Sequence, residues 1–408
     1  MTDRPDRLAI ASWSLYDFAN TIFSMNVISL YFALWVTVDH GGQDIFYSAA
    51  LSGSMFAVAI SVPLFGAISD QTGRRRGPLT LLTIISVIAT ALIGQASQLW
   101  AGICLFVIAN YCYQSALVFY NGMLPAVSRH SSVGMVSGYG VALGYMGSIA
   151  GLLLIKPFVE TGGRPAAFLP TALMFLIFAL PCFFFVKDPD PKPFRIDTGK
   201  AFRTLKNTLV NAAQYHVLLK FIGIHFLILD VVNTVIAFIA VYANKVIGFT
   251  DSQITTFLIL STTFAMLGSW LIGQQVKYKG AVPSYWTVLC LWLAALTLIV
   301  VSPGESLFWV VGPLAGMGMG GVWVVSRTIV VELSPPEKVG EFFGIYGLAG
   351  KMASIVGPLI WGSVVWLFQD TQTLKYRAAI FSLLLITIIT LILFGRLQKH
   401  IPAHSKIR

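Results

Sequence analysis

The sequence predicts an all-α membrane protein with twelve transmembrane helices in two pseudo-symmetric six-helix halves. Composition, long apolar runs and an internal repeat support this prediction. Of the 408 residues, 56% are hydrophobic and 11% are charged, whereas a soluble domain has about 25% charged residues. Apolar runs such as residues 380–394 exclude a transmembrane β-barrel, because barrel strands alternate apolar and polar residues.

The first half, residues 1–186, contains six apolar runs separated by polar, proline or glycine residues. A helix crosses the hydrocarbon core of a bilayer with about 20 apolar residues. The run after Arg7 has no small-residue cleavage site, so we expect a retained span and not a signal peptide. The predicted spans lie near residues 8–37, 46–69, 78–96, 100–123, 134–156 and 166–186.

The second half, residues 217–408, has the same organisation and ends in a short tail. A polar linker over residues 187–216 precedes it and carries six lysine or arginine residues. The predicted spans of this half lie near residues 217–245, 253–274, 284–302, 306–331, 342–366 and 377–395.

The distribution of basic residues predicts the orientation in the membrane. With a cytoplasmic N-terminus, 19 of the 27 lysine and arginine residues fall in cytoplasmic segments and five in the opposite loops. This is the positive-inside pattern, so both termini and the linker are expected in the cytoplasm. The topology also accounts for the net charge of +10 without a nucleic-acid partner. The four cysteines lie in apolar runs without the spacing of a metal site, so we expect free thiols and no bound metal.

Two sets of residues recur between the halves. Residues 17–21 and 230–234 share the pattern Asp-x-x-Asn-Thr, 213 positions apart. Seven residues of the fifth span recur in or just before the eleventh at a constant offset of 206. The pairs are Gly134/Gly340, Gly138/Gly344, Gly144/Gly350, Met146/Met352, Ser148/Ser354, Ile149/Ile355 and Gly151/Gly357. Parallel repeats with a substrate site near the bilayer midplane are one architecture of secondary transporters.

The loop between the second and third spans reads Gly-Ala-Ile-Ser-Asp-Gln-Thr-Gly-Arg-Arg-Arg over residues 66–76. It resembles the G-x-x-x-D-x-x-G-R-[RK]-[RK] signature of the major facilitator superfamily and is predicted on the cytoplasmic side, as in that family. The resemblance implies a gating loop with Asp70 as its principal latch residue. The corresponding loop of the second half has Lys277 in place of this aspartate, so that copy is degenerate. The implied gating residues are Gly66, Asp70, Gly73, Arg74 and Arg75.

A narrower resemblance covers much of the chain. Residues 12–20 (Ser-Trp-Ser-Leu-Tyr-Asp-Phe-Ala-Asn), 119–125 and 138–145 are similar to the vacuole-effluxer branch of the superfamily. So are Ser326-Arg327, Pro335-Pro336, residues 341–344 and Gly350-Lys351. That branch includes a vacuolar amino-acid effluxer, so the resemblance implies an amino acid or a similarly small polar substrate. The absence of a long lumenal insert is more typical of a prokaryotic plasma-membrane protein.

Polar side chains recur along four spans that, by resemblance, line the transport cavity. On the first span, polar residues at positions 14, 17, 20, 21 and 24 are three or four apart, so they form one stripe. The centre of this stripe is repeated in the seventh span. The predicted substrate-binding residues are Asp17, Asn20, Asn110, Gln114, Asn121, Asp230, Asn233, Trp323, Arg327 and Lys351.

Four of these residues are charged and lie within predicted spans: Asp17, Asp230, Arg327 and Lys351. A charge at the centre of a membrane helix costs about 2.5–3.5 kcal/mol on insertion scales, so these groups must face water or an opposite charge. They form either a structural set of ion pairs or a site for the substrate and a coupling proton. The acids occur in both halves and the bases only in the second. We therefore expect the second half to hold the substrate's negative group, with Asp17 meeting its positive group or a proton, and both aspartates as candidates for coupling.

These observations predict a secondary active transporter that moves a small polar or zwitterionic solute by alternating access, with amino acids as the favoured class. No sodium-site signature or ATP-binding loop occurs, so we expect proton coupling and no cofactor. The alternatives are an exporter of lipid-like or amphipathic molecules and a non-transporting assembly factor on the same fold. An enzyme is not expected, because no His, Cys or Ser constellation converges on the spans. We expect a monomer in the plasma (inner) membrane, with the lipid bilayer and a small-molecule substrate as partners.

Overall fold

The computed structural model describes residues 7–128, 133–188, 215–301, 304–334 and 339–401. Within these ranges, twelve helices are long and apolar enough to cross a membrane. The predicted all-α fold with twelve membrane helices is therefore confirmed.

The first compact unit, Met1–Leu205, contains six of these helices. The first is α-helical over Arg7–Phe23 and continues with π-helical turns at Ser24–Tyr31 and Trp35–Asp39. Turns of π-helix within a longer helix are frequent at functional sites. The six helices are α1 Arg7–Asp39, α2 Asp44–Thr72, α3 Arg76–Ile93, α4 Leu99–Val127, α5 Val133–Gly162 and α6 Phe168–Phe185.

The second compact unit, Lys206–Arg408, contains the other six helices. Its first helix also continues into a π-helical turn, Ala243–Ile247. The six helices are α7 His216–Tyr242, α8 Asp251–Lys279, α9 Ala281–Val301, α10 Glu305–Leu333, α11 Val339–Leu367 and α12 Leu374–Leu397.

The helix ends differ from the predicted span ends where polar residues extend a helix beyond its apolar run. α8 continues to Lys279, past the predicted end at 274, and has Lys277 and Lys279 in its last turn. Basic residues there interact favourably with the helix dipole. α2 continues to Thr72 and ends at Gly73, whose φ of +64° favours glycine.

The two units share their principal helix contacts. In the first unit α1 packs on α5 and α6, α4 packs on α2 and α3, and α3 packs on α6. In the second unit α7 packs on α11 and α12, α10 packs on α8 and α9, and α9 packs on α12. The sequence repeat thus corresponds to a repeat in packing. The predicted domain borders stay a prediction, because linker residues 189–214 lie outside the described residues.

Small residues allow α1 and α5 to approach closely. A Cβ atom at Gly147 would clash with the backbone carbonyl oxygen of Phe18. Glycine at such contacts lets helix backbones pack closely in membranes, where hydrophobic burial does not drive association. The α1–α5 contact carries the first group of predicted site residues.

Candidate functional site

Asp17 lies on α1 where this helix packs against α5. Its side chain is half-buried, and Asn20 Nδ2 donates a hydrogen bond to Asp17 Oδ1 at 3.1 Å. Thr21 Oγ1 donates to the carbonyl oxygen of Gly144 on α5 at 2.6 Å. A Cβ atom at Gly144 would lie 3.3 Å from Asp17 Oδ2. The absence of a side chain at Gly144 therefore leaves room for the Asp17 carboxylate. The structure therefore brings the predicted residues Asp17 and Asn20 into direct contact.

Three aromatic rings, Trp13, Tyr16 and Tyr120, form a stack beside this aspartate. The Trp13 and Tyr120 rings are 4.5 Å apart and nearly parallel, and the Tyr16 and Tyr120 rings are 5.0 Å apart. Trp13 Nε1 donates to the carbonyl oxygen of Tyr120 at 3.1 Å. The Tyr16 hydroxyl lies 2.7 Å from Thr83 Oγ1 on α3. This aromatic stack therefore joins α1 to α4 and to α3.

The aromatic stack and Asp17 converge on Gly140 of α5. A Cβ atom at Gly140 would lie 3.0 Å from Trp13 Cζ3, 3.3 Å from the Tyr120 hydroxyl oxygen and 3.4 Å from Asp17 Oδ2. The Tyr120 side chain is 3% exposed, and its hydroxyl has no hydrogen-bond partner among the described residues. A carboxylate oxygen and an unpartnered phenol oxygen thus face the same place on α5.

The predicted polar residues of α4 have graded exposure along the helix. Asn110 is fully buried, and its Nδ2 donates to Ser54 Oγ on α2 at 2.7 Å. Gln114 is half-buried and Asn121 is exposed. Asn110 therefore has a packing role in this structure, whereas Gln114 and Asn121 are accessible.

Asp230 has a different environment on α7. It is 2% exposed, and its Oδ1 has no hydrogen-bond partner among the residues that the structure describes. A Cβ atom at Gly357 of α11 would lie 3.0 Å from Asp230 Cγ. Asn233, half-buried, donates from Nδ2 to Ser354 Oγ on α11 at 2.9 Å. Asp230 is therefore enclosed between α7 and α11.

The predicted aromatic and basic residues of the second unit are more accessible. Arg327 on α10 is exposed, and Trp323, one turn earlier, is half-buried. Lys351 on α11 is half-buried. Arg327 therefore reaches an accessible surface of its own unit, Lys351 is partly covered, and Asp230 is enclosed.

A cluster of buried polar side chains lies next to Arg327. The Ser326 and Tyr346 hydroxyl oxygens are 2.8 Å apart, and Tyr346 is within hydrogen-bonding reach of Arg327. The Tyr346 ring stacks on His225 at 5.2 Å, and His225 Nδ1 lies 3.1 Å from the Tyr285 hydroxyl. These contacts connect α7, α9, α10 and α11 next to Arg327.

The predicted gating loop connects α2 to α3. Gly66 and Asp70 lie in α2, and the side chain of Asp70 is outside the described part of the structure. Arg75 Nε donates to Ser69 Oγ at 2.9 Å, and Arg74 N donates to Thr72 Oγ1 at 3.1 Å. These bonds hold the two arginines against the end of α2.

Asp188, just after α6, joins this loop from the start of the linker. The backbone N–H groups of Arg75 and Arg76 both donate to its Oδ1 at 3.0 Å. A side-chain acceptor for the first N–H groups of a helix stabilises the helix start. Asp188 therefore caps α3 from the segment that follows α6.

Sequence reasoning missed Trp13, Tyr120, Tyr346 and Asp188. Trp13 and Tyr120 lie in the stretches that carry the vacuole-effluxer resemblance, so the motif itself was a usable signal. Their proximity was not visible, because they are 107 positions apart in the chain.

Comparison with known proteins shows a family and a fold. The model of a family described as vacuole effluxer Atg22 like matches residues 44–401. An uncharacterized MFS-type transporter of Bacillus subtilis, YxiO, is 26% identical over 94% of this chain and 93% of its own length. Autophagy-related protein 22 of Kluyveromyces lactis is 22% identical over 86% of this chain and 79% of its own length.

Solved structures of major facilitator transporters share the fold. A mutant of the nucleoside transporter NupG superposes with a TM-score of 0.78 at 13% identity, covering 96% of this chain and all of that one. A bacterial homologue of the human lysosomal transporter Spinster has a TM-score of 0.76 at 12% identity, covering 98% of both chains. At these identities the likeness concerns the fold alone.

Proposed function

This chain belongs to the Atg22-like vacuole effluxer family, and from this membership we propose that it moves amino acids or similar small zwitterions across the plasma membrane. Transport proceeds by alternating access of two six-helix halves and is driven by protons. The protein acts as a monomer with its termini in the cytoplasm.

The observation that carries this proposal is that each unit has charged side chains within its membrane helices: half-buried Asp17 on α1 of the first, and exposed Arg327 and half-buried Lys351 on α10 and α11 of the second. Asp17 contacts the ammonium group of the substrate, and Arg327 and Lys351 contact its carboxylate. Charges inside a membrane protein are costly and mark substrate or ion pathways. Asn110 stabilises the packing of α4 on α2 through its hydrogen bond to Ser54. The neutral members of this site are Asn20, Gln114, Asn121, Asn233 and Trp323.

Asp230 is the coupling residue in this proposal. Its carboxyl group is enclosed and one oxygen has no hydrogen-bond partner in the described ranges, which is unfavourable for a negative charge. Protonation removes that charge, so a proton can enter and leave in step with the conformational change. Asp17 remains the second candidate for this role.

Counterflow in proteoliposomes tests the substrate class. Vesicles loaded with unlabelled L-amino acids should accumulate the corresponding radiolabelled amino acid, and the Arg327→Ala variant should not. A matched series loaded with lysolipids tests the alternative of an amphipathic exporter, which the buried aromatic stack of Trp13, Tyr16 and Tyr120 favours. Exchange of lysolipids without exchange of amino acids would overturn the amino-acid proposal.

The gating loop acts on rate and not on affinity. Asp70→Asn should slow counterflow several-fold while equilibrium binding of the amino acid is unchanged, because the residue lies near the end of α2, next to the loop to α3. Loss of binding in a well-folded Asp70→Asn protein would contradict this role.

The orientation is tested by thiol labelling. A cysteine placed in the linker of a protein lacking the four native cysteines should react with a membrane-impermeant maleimide only after the cytoplasmic face is opened. Labelling of intact cells at that position would reverse the proposed topology.

A further inference from the structure

Tyr120 has a buried hydroxyl without a hydrogen-bond partner in the described part of the chain, beside the half-buried Asp17. Most buried polar groups in proteins are hydrogen-bonded, so an unpartnered one calls for an explanation. Asn20 contacts Oδ1 of Asp17, whereas Oδ2 faces Gly140 and Gly144 of α5. The phenol oxygen and this second carboxylate oxygen are both within 3.4 Å of the position that a Gly140 Cβ would occupy.

We propose that Tyr120 and Asp17 together bind the ammonium group of the substrate, in a subsite that exists because residue 140 has no side chain. The inference rests on the proposed function, since it requires a substrate with an ammonium group. Tyr120 is the specificity-determining residue of this subsite.

The chemistry of the two oxygens suits an ammonium group. An ammonium carries three N–H donors and no acceptor, and both Asp17 Oδ2 and the Tyr120 oxygen accept hydrogen bonds. The carboxylate supplies the opposite charge, and hydrogen bonds that involve a charged group are the stronger class. The Trp13 ring, 3.0 Å from the same point, closes the subsite on its apolar side. A hydroxyl in place of the ammonium loses both the charge and two of the three donors.

The second unit shows the corresponding place filled by protein. At the constant offset of 206, Gly140 corresponds to Tyr346 and Tyr120 corresponds to Ser326. There the Tyr346 hydroxyl lies 2.8 Å from Ser326 Oγ, so the tyrosine comes from the opposite helix and already has a partner. In the described part of the first unit, the Tyr120 hydroxyl has no such protein partner, so it can bind a substrate group.

Tyr120→Phe removes the hydroxyl oxygen and keeps the ring that stacks on Trp13. Binding is measured by calorimetry on the purified full-length protein. The probes are L-leucine, its 2-hydroxy analogue, which replaces the ammonium by a hydroxyl, and isoamylamine, which lacks the carboxylate. Tyr16→Phe is the matched control, because its hydroxyl belongs to the same aromatic stack but contacts Thr83.

Tyr120→Phe should weaken binding of L-leucine and of isoamylamine about tenfold or more, as for loss of a hydrogen bond to a charged group. Binding of the hydroxy acid should change less than twofold, and Tyr16→Phe should change binding of every probe less than twofold. Gly140→Ala fills the subsite while keeping the Tyr120 hydroxyl group, and should reproduce the same selectivity. Melting temperatures of all variants show whether the fold is intact.

The outcomes separate this inference from the proposed function. If the wild type binds isoamylamine and not L-leucine, the amino-acid substrate class is wrong and the isoamylamine result still decides the role of Tyr120. If the wild type binds L-leucine and neither Tyr120→Phe nor Gly140→Ala weakens it, the subsite is wrong and the substrate class stands. An equal loss for leucine and its hydroxy analogue would overturn the inference, as would the absence of binding by any ammonium compound.

Discussion

The contact between α1 and α5 around Asp17 and the contact between α7 and α11 around Asp230 use similar residues in different ways. Asp17 is half-buried, bonded to Asn20 and close to Gly140 and Gly144. Asp230 is 2% exposed and enclosed against Gly357. A repeated motif therefore places one carboxylate at an accessible edge and the other in the interior of its unit.

The difference arises from the position of the motif along the helix. Asp17 lies 22 residues before the end of the first span at Asp39, and Asp230 lies 17 residues before the end of the seventh at Ile247. Five residues correspond to about 7 Å along a helix. α4 and α10, in contrast, begin and end at the same offset of 206. A motif shared by two halves therefore does not imply the same depth or the same role.

The largest expected difference between the two regions is in the aspartates themselves. Asp17→Asn should weaken amino-acid binding about 30-fold or more, since loss of one partner of a close charge pair costs about 2–5 kcal/mol. Asp230→Asn should bind and exchange normally and lose accumulation driven by a pH gradient. Equilibrium binding, counterflow and gradient-driven uptake distinguish these outcomes. Identical phenotypes for the two variants would mean that the aspartates are equivalent after all.

The next contrast concerns Asn121 and Arg327, which occupy corresponding positions on α4 and α10 at the offset of 206. Arg327→Ala should weaken binding of a carboxylate-bearing substrate about tenfold to a hundredfold, because a hydrogen bond to a charged group is lost. Asn121→Ala removes a neutral partner and should cost about 1 kcal/mol. Calorimetric titration of both variants with L-leucine and isoamylamine measures the contrast. A larger loss for Asn121→Ala would assign the carboxylate to the first half.

Glycines in α5 and α11 test which positions along these helices are tightly packed, since Gly147 meets backbone whereas Gly350 does not. Gly147→Ala should destabilise the protein by about 1–3 kcal/mol, because the new Cβ meets the Phe18 carbonyl and a backbone cannot move aside cheaply. Gly350→Ala should change stability by about 1 kcal/mol or less, since the nearest atom to its Cβ is Leu229 Cδ1 at 3.7 Å. Thermal unfolding in detergent measures both, and similar melting temperatures would contradict the difference in packing.

The smallest expected effect concerns the cap that Asp188 forms on α3 of the first unit. Asp188→Ala should destabilise the start of α3 by about 0.5–2 kcal/mol, as for other helix caps, and Asp188→Asn should cost less because it keeps an acceptor. Hydrogen exchange of the first amides of α3 measures the effect. Unchanged protection in Asp188→Ala would show that the carboxylate does not stabilise this helix.

The sequence by itself predicts much of the architecture. The number of spans, the six-plus-six organisation and the family resemblance were all predicted, and the structure and comparisons confirm the twelve helices and the family. The physical reason is that a bilayer requires long apolar helices with internally satisfied backbones, and such runs are visible in composition and spacing.

Only the tertiary structure decided which polar side chains face each other. Asn110 shares a face of α4 with Gln114 in the sequence pattern. In the structure, however, its amide nitrogen donates a hydrogen bond to Ser54 Oγ of α2. The meeting of Trp13, Tyr120 and Asp17 at Gly140, and the enclosure of Asp230, follow from the register in which neighbouring helices pack. That register depends on the fit of side chains and small residues across helix pairs, and hydropathy does not encode it, because every lipid-spanning helix is apolar whatever its partner.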